Sequence, residues 1–221
     1  MENTSTTEVL KSLESLYLKG EFGKALELLI KSKTQFPTAE FHYNMGTVLA
    51  KQGDFAAARY NFELAIKNGT FSSAIKNNLE FTKTQLAITD ISNSRESWEL
   101  WLDRSLSVPY EATFSIVLVL LLGLTLLFRF NKIKSKIVYG LVSALLLAIP
   151  LCHMGLHKKF DIAINLKDQE IYEGPSSVYD SIGKLDAGAK IILGQIDKDW
   201  VMVEYPLKYA GWVKRETLGN L

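Results

Sequence analysis

The chain has 221 residues, 25 Lys and Arg against 24 Asp and Glu, and one cysteine, Cys152. A single cysteine excludes an intrachain disulfide and a cysteine-based metal cluster. Residues 1–90 hold ten acidic and ten basic side chains, and residues 160–221 hold ten acidic and seven basic, a net of −3; neither end has the clustered Lys/Arg stripe that neutralising phosphates requires, so no nucleic-acid partner is expected.

The first ten residues, Met1 to Leu10, have neither a basic n-region nor an apolar h-region and do not read as a signal peptide. Beyond them two stretches align at a constant offset of 33: Gly20 with Gly53, Phe22 with Phe55 and Ala25 with Ala58. The glycines sit where a helix must stop and turn sharply, with positive φ. The phenylalanines fill the wedge between paired helices, and the alanines let those helices approach. In the second stretch, Gly46 of Tyr43-Asn44-Met45-Gly46 again permits close packing, and Pro37 is expected to end the helix before it. A further helix begins at Ala74-Ile75-Lys76-Asn77-Asn78-Leu79 and runs to about Ile88; no second Gly-aromatic-Ala follows, so it reads as a cap.

These residues resemble the tetratricopeptide (TPR) repeat, whose unit is about 34 residues. The resemblance implies an all-α TPR solenoid over residues 1–90, two repeats and a capping helix. Its concave surface is expected to carry Glu14, Tyr17, Tyr43, Thr47, Asn77 and Phe81, a groove for a peptide or helix of a protein partner. The alternative for Tyr17, Tyr43 and Phe81 is that each is only core.

A linker helix is expected over residues 91–111, with Trp98, Trp101 and Leu102 at helical spacing. Aromatics before an apolar span suit the headgroup layer; packing back on the helical domain is the alternative. From Ala112 to Phe128, and again from Ile137 to Leu156, there is no Asp, Glu, Lys or Arg. Two transmembrane helices, 112–130 and 137–157, are expected, joined by a short turn and therefore antiparallel. The lipid bilayer is thus an expected partner, and the two spans place both soluble ends on one side. Arg129, Lys132, Lys134 and Lys136 in the turn argue that the turn is cytoplasmic, with both termini periplasmic at a bacterial inner membrane. Lys158, Lys159 and Arg104 at the opposite ends argue the other way. His153 and His157 share a helix face, but a pair without a carboxylate is a weak metal motif, so no metal and no cofactor are expected.

From Phe160 the pattern shifts to short alternating stretches. Strands are expected at Ala163–Leu166, Glu170–Tyr172, Lys190–Leu193, Trp200–Glu204 and Ala210–Val213, separated by turn clusters. Five short strands in residues 160–221 suit a small all-β barrel. Gly174-Pro175-Ser176, Gly188, Trp200 and Gly211-Trp212-Val213 resemble bacterial SH3 (SH3b) domains in order and spacing. That resemblance implies an aromatic groove, Tyr172, Trp200 and Tyr205, for an extended peptide or peptidoglycan. Alternatively the tryptophans only fill a small barrel, the reading preferred for Trp212.

The order TPR, two-span hairpin, SH3b resembles BatE proteins of bacterial aerotolerance (Bat) operons. The resemblance implies a scaffold in envelope or oxidative stress, partnering von Willebrand A-type Bat membrane proteins and a MoxR-type AAA ATPase. No Ser/His/Asp set, paired catalytic carboxylates or Gly-rich phosphate loop is legible, so a non-enzymatic adaptor is expected.

Overall fold

The computed structural model describes residues 2–221, with side chains from Thr6 onward; Met1, at the head of the expected helical domain, lies outside the described residues. Six helices come first: α1 Glu2–Leu18, α2 Phe22–Lys31, α3 Thr38–Gln52, α4 Phe55–Lys67, α5 Ser73–Leu86 and α6 Ser97–Leu106. Two long helices follow, α7 Tyr110–Arg129 and α8 Lys136–Lys159. The remainder is a sheet of β1 Asp161–Asn165, β2 Gln169–Tyr172, β3 Ser181–Leu185, β4 Lys190–Asp197, β5 Trp200–Tyr205, β6 Gly211–Lys214 and β7 Leu218–Asn220.

The helices reverse where the glycines demand it. Gly20 and Gly53 have φ of 73° and 84°, a region that costs an L side chain energy. At the second turn the Gly53 amide donates to the Ala50 carbonyl and the Asp54 amide to that of Leu49. Asp54 then caps α4, its carboxylate accepting from the Ala57 amide at 3.1 Å. Pro37 does not end α2, as the sequence had suggested. That helix stops at Lys31, a 3₁₀ turn intervenes, and Pro37 stands at the head of α3, where a missing N–H has no helical partner to lose.

Two apolar clusters hold these helices together. One joins Leu13, Ala25, Leu29, Phe36, Phe41 and Val48; the other joins Leu49, Ala58, Phe62, Ala65 and Ile75. Burying side chains such as Leu29 and Phe62 stabilises by about 1.5–3 kcal/mol each. The contact between α3 and α4 is closest at Gly46, where a Cβ would lie 2.8 Å from the Phe62 ring and 3.1 Å from the Ala58 carbonyl. Gly46→Val is therefore expected to destabilise by about 1–3 kcal/mol through overpacking. Thermal unfolding checks this; an unchanged midpoint would mean the helices do not meet here.

Helices α7 and α8 are each long and apolar enough to cross a membrane, and most of their surface is left uncovered by the rest of the chain. At 1.5 Å per residue, about 20 residues match about 30 Å of hydrocarbon. They form an antiparallel hairpin: Thr113 bonds His153 near one end, while Thr125 bonds Tyr139 near the other. Asn131, with φ of 58°, turns the chain, and Ser135 caps α8 by accepting from the Val138 amide.

The sheet is antiparallel throughout, in the order β3-β2-β6-β5-β4-β1-β7. It curls on itself, because Asn165 at the end of β1 donates to the carbonyls of Leu185 and Asp186 beside β3, five places away in that order. One core fills the curl, with Ala163, Ile171, Leu185, Ile191, Val201, Val203 and Val213 from six strands. Seven strands stand where five were expected. Strand β3 escapes the alternation rule because every residue but Leu185 is exposed, and β7 has only three residues. The all-α and all-β parts are thus both present, joined by the apolar hairpin.

Candidate functional site

Helices α1, α3 and α5 line one open face of the helical unit. A groove of 440 Å³ there is lined by Glu14, Tyr17 and Thr47, with Leu10, Lys11 and Asn44. A second, of 360 Å³, is lined by Tyr17, Thr47, Lys51, Asn78 and Phe81. Tyr17 and Thr47 line both, which makes one continuous surface. The Tyr17 ring is fixed edge-on to Phe22 at 5.6 Å, and the Lys51 ammonium lies 6.0 Å from its centroid. Phe81 is 54% exposed and leans edge-on against Phe55. An aromatic pinned on one side and open on the other is how protein-binding surfaces present apolar area.

Four of the six expected groove residues, Glu14, Tyr17, Thr47 and Phe81, therefore share this surface. Tyr43 and Asn77 do not line it. Tyr43 packs on Phe62 at 6.2 Å and belongs to the second core cluster. Asn77 is exposed on α5, and its neighbour Asn78 takes the groove position.

On the sheet, Tyr172 and Trp200 meet edge to face at 5.3 Å. Trp200 also lines an open cleft of 790 Å³ with Ile196, Lys198, Asp199, Lys214 and Arg215. Tyr205 is not part of this pair; its ring packs against Trp98 of α6 at 4.6 Å. Trp212 is half-buried and pairs in register with Tyr172 and Met202. In the hairpin turn, Lys132, Lys134 and Lys136 are exposed, and Arg129 closes α7.

Between the two soluble parts lies a buried charge network that composition does not reveal. Arg59 of α4, 1% exposed, donates to Asp90 at 2.5 Å, to the Gly188 carbonyl at 2.9 Å and to Ser92 at 2.9 Å. The same Asp90 carboxylate accepts from the Lys190 amide of β4 at 2.9 Å. The Lys190 ammonium lies 3.0 Å from Glu63 of α4 and 2.6 Å from Asp103 of α6. Burial alone would raise the Asp90 carboxyl, but the Arg59 charge, the Lys190 amide and Ser92 outweigh it and hold it below the usual 3.8. Burial likewise pushes the Lys190 ammonium down, and Glu63 with Asp103 outweighs that and holds it above the usual 10.5.

Two glycines mark how closely the parts meet. A Cβ on Gly188 would lie 2.6 Å from Leu86, and one on Gly219 would lie 2.7 Å from the Tyr60 ring. Arg59 and Glu63 sit one turn apart on α4 among Ala58, Phe62 and Ala65. Two charges on a face of small and apolar residues were the legible trace of this junction.

The histidines are engaged locally. His153 pairs with Thr113 through one ring nitrogen and with the Ser105 carbonyl through the other, both at 2.8 Å. His157 meets the Val108 carbonyl at 3.1 Å, and His42 meets Asn61 at 2.9 Å. Among the described residues no group of three or more His, Cys, Asp or Glu is set to hold a metal ion. No protein-family model, no curated protein and no solved structure matches the chain.

Proposed function

We propose that the protein is a membrane-anchored, non-enzymatic adaptor whose concave helical surface holds a protein partner close to the bilayer. The observation that carries this reading is the continuous groove shared by Tyr17, Thr47 and Phe81, with one aromatic open to solvent and the other open on its groove side. The 33-residue Gly-Phe-Ala spacing and the paired helices it predicts support a TPR-type solenoid. The curled antiparallel sheet supports an SH3b-type barrel. Together with the apolar hairpin they favour a BatE-type scaffold, for which von Willebrand A-type membrane proteins and a MoxR-type ATPase are the first partners to seek. Co-purification of such a partner with the full chain from gently solubilised membranes tests it, provided the signal is lost on Tyr17→Ala/Phe81→Ala. Retention of every partner by that variant contradicts the groove.

The buried network supports one feature of the topology. Arg59, Asp90 and Lys190 bond across the helical part and the sheet, which supports a reading in which both lie on one side of the membrane, the arrangement a two-span hairpin requires. The cationic turn favours a periplasmic placement for both ends. Cysteines introduced one at a time at Lys134 and Lys198, in a Cys152→Ser background, check this in intact inner-membrane vesicles of known orientation. Position 198 is expected to react with an impermeant maleimide only from the periplasmic face, and position 134 only from the cytoplasmic face. The reverse pattern contradicts the assignment.

A second reading is an envelope module that binds wall peptides or peptidoglycan on the sheet. It is favoured by the Tyr172–Trp200 pair at the edge of the 790 Å³ cleft. Sedimentation of the full chain with purified cell wall, lost on Trp200→Ala, would select it; failure to sediment removes it.

A further inference from the structure

Where α6 meets the hairpin, an open groove of 480 Å³ is walled by Trp101, Val108, Ala148, Ile149, Cys152 and Leu156. Trp101 is 59% exposed. The polar groups at its floor are already satisfied: Thr113 and the Ser105 carbonyl both bond His153 at 2.8 Å. A peptide backbone needs hydrogen-bonding partners wherever it is desolvated, and this groove offers few. A hydrocarbon chain needs none.

Its position selects the occupant. The groove lies at the first turn of α7 and the last turns of α8, where two helices with apolar, uncovered surfaces end. Lipid tails surround such helices up to the headgroup level, which is where Trp favours. Cationic residues lie on the helical stripes that form the walls. Residues 101, 104 and 105 of α6 follow i, i+3, i+4 spacing, and Leu156 and Lys159 of α8 are three apart. Arg104 and Lys159 are both exposed, with the Lys159 ammonium 5.1 Å from the Phe160 ring.

We propose that the α6–α7–α8 groove is a lipid site that takes one acyl chain of an anionic phospholipid, with Arg104 and Lys159 meeting its phosphate. This rests on the reading of α7 and α8 as membrane-spanning. The site ties the soluble part to the bilayer surface and so limits the orientations in which the concave surface is presented.

Native mass spectrometry of the full chain in mild detergent tests it, with phosphatidylglycerol and phosphatidylcholine as probes at equal concentration. One phosphatidylglycerol per chain should survive activation, at least tenfold over phosphatidylcholine. Ala148→Phe fills the groove from an exposed position and should lower retention of both lipids at least tenfold. Arg104→Gln/Lys159→Gln should equalise the two lipids while leaving one chain bound. Retention by Ala148→Phe equal to wild type overturns the site. So does a wild-type dimer that this substitution dissociates, which would assign the groove to a second copy. Equal retention of both lipids by wild type overturns the headgroup assignment. Extraction of wild type from membranes by alkaline carbonate is a separate readout, and release there would refute the hairpin reading itself.

Discussion

Arg59→Met is expected to destabilise the soluble part by about 3–5 kcal/mol at neutral pH, the usual penalty for leaving a buried partner charge uncompensated. Asp90, 0% exposed, would lose its ion pair, and the Gly188 carbonyl and Ser92 would lose their donor. The pH dependence gives the effect a signature. In the wild type the Asp90 carboxyl is held below 3.8. Its contribution is therefore complete above that pH and is lost as pH falls through its lower folded value. Lys190 is held above 10.5, so its contribution is complete below that pH and is lost as pH rises through its higher folded value. In the variant, burial acts on Asp90 without the opposing guanidinium, and protonation relieves the misfit. The deficit should shrink as pH falls toward 4. Thermal unfolding in detergent at pH 7 and pH 4.5 measures both parts. A loss below about 0.5 kcal/mol at pH 7, or a deficit that grows on acidification, contradicts the network.

Tyr17→Ala/Phe81→Ala is expected to weaken partner binding by about 100-fold or more while leaving the helices folded. Exposed aromatics at the centre of an interface are typical hot spots, worth about 2 kcal/mol or more each on truncation, and about 1.4 kcal/mol corresponds to a factor of ten. Phe81 is more than half exposed and Tyr17 is partly buried, so the folding loss should be small beside the binding loss. Tyr43→Ala is the contrast, since that ring packs on Phe62. It should lower the unfolding midpoint and affect binding only through stability. If Tyr43→Ala abolished binding at full stability while the double variant bound normally, the binding surface would have to be moved.

The helical hairpins were readable because their constraints are local. Gly20 and Gly53 must turn, Ala58 and Gly46 must be small, and each lies close in sequence to what it touches. The two apolar helices were readable because a helix long and apolar enough to cross a membrane is one continuous stretch of sequence. The junction was not, since Lys190 reaches Glu63 across 127 positions and the Asp90 carboxylate across 100. No periodicity encodes a contact of that range. Tyr205 illustrates the same limit: its side of β5 is expected to face a groove, yet it is covered by Trp98 from a helix more than 100 residues earlier. Asn77 and Asn78 show the finer one. Helical spacing defines a face to within one residue, and here the neighbour occupies the groove.

The adaptor reading is tested most directly by a photo-crosslinking amino acid placed singly at Phe81 on the concave surface, at Lys31 on exposed α2, and at Trp200 on the sheet, in the full chain within its native membrane. Irradiation is expected to join a protein partner through position 81, with no adduct from position 31, and the adduct should disappear when Tyr17→Ala is added. Adducts of equal yield from positions 31 and 81, or a protein adduct from position 200 alone, would contradict a partner held in the helical groove.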